Sequence, residues 1–286
     1  MSTKENKRYR TLEVAENVFV PETGFDYPED DPYRKLYPSP HLRELVFDEN
    51  YTYLDESLSF RFQRWVGHVF HVSTMIPLVH RIKFGLRIRG RKNFRNHKRN
   101  GDFADGLITI CNHCHRWDAP AVIHALGRHR MWLPVYGENL NGKDYWYIKH
   151  VGGIPVPSNM GGLKKFNAAF DELHRRKQWF HVFPEESRWN FYKPIRPFRK
   201  GAFTMAYKYG IPVVPCCITY RERTGIYKLF GKQTEPLLTI TIGEPVFPNT
   251  QNYRKDEVER LLISSRRQML QLAGITRNTW PDTISE

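Results

Sequence analysis

The sequence predicts an α/β fold, with a largely parallel central sheet flanked by helices and preceded by a polar extension and an apolar helical segment. Three observations carry this expectation. From residue 84 onward, short apolar β-branched runs alternate with longer amphipathic stretches. GLITICN (106–112) is a short, mainly apolar and β-branched run, which suits a strand buried on both faces. Polar residues with chemical potential follow directly on two of these runs, where ligands sit in parallel sheets.

Taken in order, FGLRIRG (84–90) alternates like a strand and 106–112 is a buried strand. Residues 118–127 suit a helix, with Asp118 at its start and Pro120 in its first turn. MWLPVYG (131–137) is strand-like, NGKDYWYIKH (141–150) helical, and GGIPVPS (152–158) a short strand. Residues 159–177 form an amphipathic helix whose basic end complements the helix dipole. QWFHVFP (178–184) is a strand, and 200–210 is a helix that stops at Gly210. Residues 211–220 and 236–245 are strands, and 254–274 is a closing amphipathic helix. This gives a polar extension over 1–60, an apolar helical segment over 61–82, a main domain over 83–275 and a tail over 276–286.

Charge divides the chain. Residues 1–60 hold 13 acids against 7 bases, and the remaining 226 residues hold 17 against 37. A basic body of this kind attracts nucleic acid, anionic lipid or phosphorylated substrates, and charge alone does not choose among them. Aromatic and cationic residues interleave over 190–200, yet no RNA-recognition, zinc-finger or helix-turn-helix signature is present, and nucleic acid is not expected as a partner. The four cysteines form two near-adjacent pairs behind an N-terminus without an apolar leader, which points to a reducing, cytosolic compartment. The apolar run 65–79 is too short to span a bilayer. The stretch 81–100 then carries nine Lys or Arg and no acid. That pairing suits a segment lying in the interface of an anionic membrane. A buried helix followed by a solvated basic strand and loop is the plainer alternative.

ICNHCHRWDAP (110–120) ends one predicted strand and places His113 and Asp118 at H-x-x-x-x-D spacing. A carboxylate brought against one imidazole nitrogen fixes the tautomer and leaves the other nitrogen free as a general base. Such a base could take the proton from a hydroxyl that attacks a carbonyl. FPEESRWN (183–190) ends a second strand and supplies Glu185, Glu186 and Arg188. PFRKGAF (197–203) sets Arg199 and Lys200 at a helix N-terminus, a favourable place for an anion. Cys111, His113, Cys114 and His115 are zinc-ligand types but too close together for one tetrahedral site, and Cys216 and Cys217 should face opposite sides of a strand. No metal is expected.

Here the chain resembles the PlsC-like glycerophosphate and lysophosphatidate acyltransferases. NHCHRWD is similar to their N-H-x4-D motif, FPEESR to F-P-E-G-T-R, and FRKGAF to F-K-K-G-A. GGIPVP and IPVVPCCI resemble two further family motifs in the same order, over roughly residues 84–250. The resemblance implies a glycerolipid-acyltransferase-like fold. It also implies acyl transfer from acyl-CoA or acyl-carrier protein, without cofactor, to the hydroxyl of a lysophospholipid such as 1-acylglycerol-3-phosphate. His113 would be the base and Asp118 its orienter. Arg188 and Lys200 would hold the acceptor phosphate, and Glu185 would order the acceptor or the loop. The enzyme would sit on the cytoplasmic side of a membrane, peripheral or monotopic, in phospholipid biosynthesis. The chain departs from the family pattern at Ser158, Tyr136–Gly137, Glu186 and Trp189, which makes a lysolipid with another head group the alternative acceptor. A basic lipid- or nucleic-acid-binding protein without catalysis is the competing class.

Overall fold

The computed structural model describes residues 11–37, 42–230, 232 and 234–281. The N-terminal decapeptide, most of YPSPH and the last five residues lie outside the described residues. In chain order the elements are β1 (Glu13–Val14), α1 (Leu58–Val66), a π-helical stretch (Gly67–Met75), α2 (Ile76–Phe84), β2 (Arg87–Arg89), α3 (Arg91–Arg99), β3 (Ile108–Cys111) and α4 (Asp118–Ala125). There follow β4 (Met131–Tyr136), α5 (Gly137–Asn141), α6 (Tyr145–Val151), β5 (Gly153–Val156), α7 (Met160–Arg175) and β6 (Trp179–Val182). The chain continues with α8 (Gly201–Tyr209), β7 (Val213–Arg221), a 3₁₀ turn (Gly225–Leu229), β8 (Leu237–Ile242), α9 (Arg254–Ala273) and β9 (Ile275–Arg277).

Seven strands form one sheet in the order β2-β8-β7-β3-β6-β4-β5. Every neighbouring pair is parallel except β7 and β8. The carboxyl ends of β3, β4, β5, β6 and β7 therefore lie along one edge. Side chains alternate between two cores. Ile108, Ile110, Phe180 and Cys217 pack with α7, α8 and α9 on one face. Leu107, Cys111, Trp179 and Cys216 pack with α2, α3 and α4 on the other. The two adjacent cysteines thus face opposite sides of their strand, as the strand reading requires.

Two elements depart from the sequence expectation. Residues 141–150 are not one helix: α5 and α6 are separate, broken around Gly142, which is extended. The basic stretch 91–99 is helical rather than loop. Its intrinsic pattern is too polar to announce a helix, and anchoring makes it one: Phe94 is buried, and Arg91 donates to the carbonyls of His124 and Ala125 at the end of α4.

Residues 58–84 run as one continuous helical stretch whose middle nine residues take the wider π form. Phe60, Gly67, Val72, Ile76, His80 and Phe84 face inward. Leu58, Phe62, Trp65, Phe70, Met75, Leu78 and Ile82 are exposed. Across the π stretch the outward residues are spaced by five (65, 70, 75), and by three or four elsewhere. The wider turn is what keeps them on one side. Among the described residues no helix is long and apolar enough to cross a membrane.

Candidate active site

The site forms where β3 and β6 release the chain at the sheet's carboxyl edge. His113 follows β3, and its Nδ1 lies 2.7 Å from Oδ2 of Asp118, the first residue of α4. Asp118 is 2% exposed and also accepts the backbone N–H groups of Ala119 (2.9 Å) and His115 (3.3 Å). Burial pushes its carboxyl up. The neighbouring His113, by charge and hydrogen bond, outweighs burial and holds it below the usual range. With Nδ1 given to Asp118, the other ring nitrogen of His113 is left for a substrate. The imidazole stacks on Phe183, with centroids 4.0 Å apart and planes 14° from parallel.

The loop after β6 supplies the rest. Glu185 is buried and uses both oxygens: Oε2 accepts the His113 backbone N–H at 3.0 Å and the Arg196 guanidinium at 3.1 Å, while Oε1 accepts the Arg196 N–H at 2.8 Å. Arg196 was not singled out by sequence. It is fully buried and also donates to the carbonyl of Pro32 at 2.8 Å and to Ser187. Glu186, standing where the resembling motif has glycine, takes the left-handed conformation (φ +62°) and pairs with Arg199 at 3.2 Å. Arg188 is half-buried, its guanidinium lies 5.1 Å from the Tyr37 ring, and its Nε has no hydrogen-bond partner among the described residues. Lys200 is exposed at the start of α8 and reaches Glu259 of α9 at 3.7 Å. The structure therefore brings His113, Asp118 and Glu185 into one hydrogen-bonded group. Lys200 is instead drawn to α9.

The extension closes over this loop. Arg34 accepts from Ser187 Oγ (3.0 Å) and Trp189 Nε1 (2.9 Å) through its carbonyl, Tyr27 stacks on Trp189, and Arg199 lies 3.7 Å over the Tyr33 ring. Sequence reasoning could not find these contacts, because nothing local in an irregular polar segment reports its distant partner. Ser158 Oγ donates to the Phe47 carbonyl at 3.4 Å, and Phe47 lies against Gly137, where any Cβ would meet its ring at 2.5 Å.

In the stretch 110–120 the zinc-ligand residue types have other surroundings. Among the described residues no three His, Cys, Asp or Glu side chains are grouped to hold an ion. All four cysteines are buried free thiols, and burial pushes those of Cys111 and Cys114 well above the ordinary range. His115 is buried beside Phe84 with ring centroids 4.5 Å apart, and burial lowers its pKa to about 4.

A histidine oriented by a buried carboxylate, at the carboxyl edge of an α/β sheet and braced by an adjoining loop, is chemically able to accept a proton from a hydroxyl placed at its other ring nitrogen. Comparison with known proteins finds a matching family model and named relatives. The Acyltransferase family model matches residues 85–219, which include every residue of this hydrogen-bonded group. The 1-acyl-sn-glycerol-3-phosphate acyltransferase of Salmonella typhimurium is 24% identical over 215 residues, covering 72% of this chain and 77% of its own. The enzyme of the same name from Escherichia coli is 24% identical over 213 residues, covering 70% and 75%. The crystal structure of PlsC, a 1-acyl-sn-glycerophosphate acyltransferase from Thermotoga maritima, aligns with 74% of this chain and 88% of that one at 20% identity and a TM-score of 0.43. The chain carries a PlsC-like acyltransferase domain, and the class of enzyme is O-acyltransferase.

Proposed function

We propose that this enzyme moves a fatty acyl group from a thioester, acyl-CoA or acyl-carrier protein, to the free hydroxyl of a lysophospholipid such as 1-acylglycerol-3-phosphate, in phospholipid biosynthesis. The observation that carries the reading is the 2.7 Å His113–Asp118 hydrogen bond inside the matched domain. Asp118 holds His113 as the Nδ1–H tautomer. Nε2 takes the proton of the acceptor hydroxyl as its oxygen bonds to the thioester carbonyl carbon. The tetrahedral adduct collapses, the C–S bond breaks, and the imidazolium returns the proton to the departing sulfur. The acceptor is itself the nucleophile, so the chain needs no covalent intermediate and no metal.

Arg188 is the group best suited to the acceptor phosphate, because its guanidinium lies beside the loop with Nε uncommitted among the described residues. Lys200 joins it on releasing Glu259. Glu185 orders the loop rather than the lipid, since both of its oxygens are already engaged. A lysolipid with another head group is the second reading, favoured by Ser158 and Gly137, which add no charge and are committed to contacts with Phe47. The outward row from Leu58 to Ile82, on a stretch with no acid between Ser57 and Phe84, suits the surface of an anionic membrane, on its cytoplasmic side.

The test is product formation from labelled palmitoyl-CoA and palmitoyl-carrier protein against a panel of lysolipids, wild type beside His113→Ala. Transfer to lysophosphatidate that disappears in the variant is the expected result. Transfer to another lysolipid alone would select the second reading. An equally active His113→Ala would sink the mechanism.

A further inference from the structure

We propose that the loop between β7 and β8 is a second membrane anchor, with Ile226, Leu229 and Phe230 entering the same anionic bilayer as the outward face of the 58–84 helix. The inference rests on the reading of that helix as membrane-facing and adds a separate element to it. β7 and β8 are antiparallel neighbours, which a two-residue turn could join. Residues 222–236 are used instead, and a connection of this length in a compact domain generally serves a purpose of its own.

The loop presents exposed apolar side chains, yet its described residues are not slack. Ile226 is 64% exposed and Leu229 80% exposed, with Phe230 beside them. Behind them Arg223 is buried and spends its guanidinium on backbone carbonyls: Glu235 at 2.8 Å, Tyr227 at 2.7 Å, Phe230, and Lys83 of α2 at 3.0 Å. One side chain thus pins both limbs of the loop and ties them to the last turn of the helix. Tyr227 covers Gly85, where an added Cβ would meet its ring at 2.9 Å. Lys83 adds an ion pair to Glu235 at 3.0 Å. The exposed apolar residues of the loop are thereby held beside the end of the helix that carries Leu78 and Ile82.

Charge selects the occupant. Arg81, Arg87, Arg89, Lys228 and Lys232 are exposed around this junction. On the loop itself the acids are Glu222, which is exposed, and Glu235, which Lys83 holds. Apolar prongs ringed by cations match an anionic lipid surface, where acyl chains take the side chains and head groups take the charges. Two anchors at the end of one helix would also fix the rotation of the domain on the bilayer. A helix lying alone leaves that free.

All four native cysteines are buried, so one introduced on the surface can be labelled selectively. Leu229→Cys and Phe70→Cys, each carrying a polarity-sensitive fluorophore, would be mixed with phosphatidylcholine vesicles with and without phosphatidylglycerol. Blue-shifted emission from both labels, stronger with phosphatidylglycerol, is the expected result. The double variant Ile226→Ser/Leu229→Ser should partition onto those vesicles about tenfold more weakly than wild type. A shift at Phe70→Cys with none at Leu229→Cys overturns the second anchor and leaves the helix reading standing. No shift at either label removes both. A shift at Leu229→Cys that follows protein concentration without vesicles assigns the loop to contact between copies and also overturns the proposal.

Discussion

Asp118 shows how one residue can be legible in sequence while its surroundings are not. The spacing from His113 marks it as an orienter, but its ionisation depends on burial being outweighed by the His113 imidazole, with help from His115 and its backbone N–H. Asp118→Asn keeps the size and loses the charge that supports an imidazolium. It should lower kcat by on the order of 10²–10⁴-fold with little change in KM, measured by steady-state acyl transfer with circular dichroism to confirm the fold. Arg196 is the counterexample. It lies in NFYKPIRPF, a stretch without hydrophobic period, and its partners are residues 9 and 11 positions back and Pro32, 164 positions away. Such a hub becomes visible only after folding. The same holds for the pull of Glu259 on Lys200, which no local pattern announces.

At the scale of elements, strands were easier to read than helices. β3, β6 and β7 are β-branched or aromatic runs buried on both faces, and composition reports that directly. α3 is stabilised by anchoring at its ends and by Phe94, and a run of cations conceals it. The extension is the most consequential element that stayed hidden. Residues 27–37 are irregular and largely polar, but they cover the loop that carries Glu185 and Arg196: the carbonyls of Pro32 and Arg34 accept from three of its donors, and the rings of Tyr27 and Tyr33 lie against Trp189 and Arg199. Removing residues 1–41 should therefore uncouple the loop behind His113. The expected outcome is a loss of more than about tenfold in kcat and faster amide exchange over residues 185–199, with the central strands still protected. Unchanged exchange in that loop would show that the extension merely lies on it.

Across the whole molecule, acidic and basic parts meet: of the acidic first 60 residues, the described stretch from Tyr27 to Arg34 packs on the loop behind His113 in a basic body. Among the histidines in the interior, burial depresses three most strongly. The pKa falls to about 3 for His80, about 4 for His115 and about 3 for His181. His181 Nδ1 meets Thr109 Oγ1 at 2.7 Å, while both ring nitrogens of His80 lack a partner among the described residues. A depressed histidine contributes stability that is complete above its unfolded pKa and is lost as pH falls toward the folded value. Stability should therefore decline from about pH 6.5 toward about pH 4, by at most about 1.4 kcal/mol per pH unit for each histidine. Thermal melting across that range would check the slope. His181→Phe should flatten it if it preserves the fold.

The wider turns between Gly67 and Met75 have one more consequence, which concerns how this chain can change over generations. Substitutions along the outward row alter polarity and leave geometry alone. Inserting or deleting one residue there swings everything beyond it by roughly a quarter turn, which would carry Ile76 and His80 out of the interior and Leu78 and Ile82 into it. Lineages of this protein should therefore vary freely in residue type across the segment while its length stays constant, and length variants recovered from a mutational library should be missing from the folded fraction.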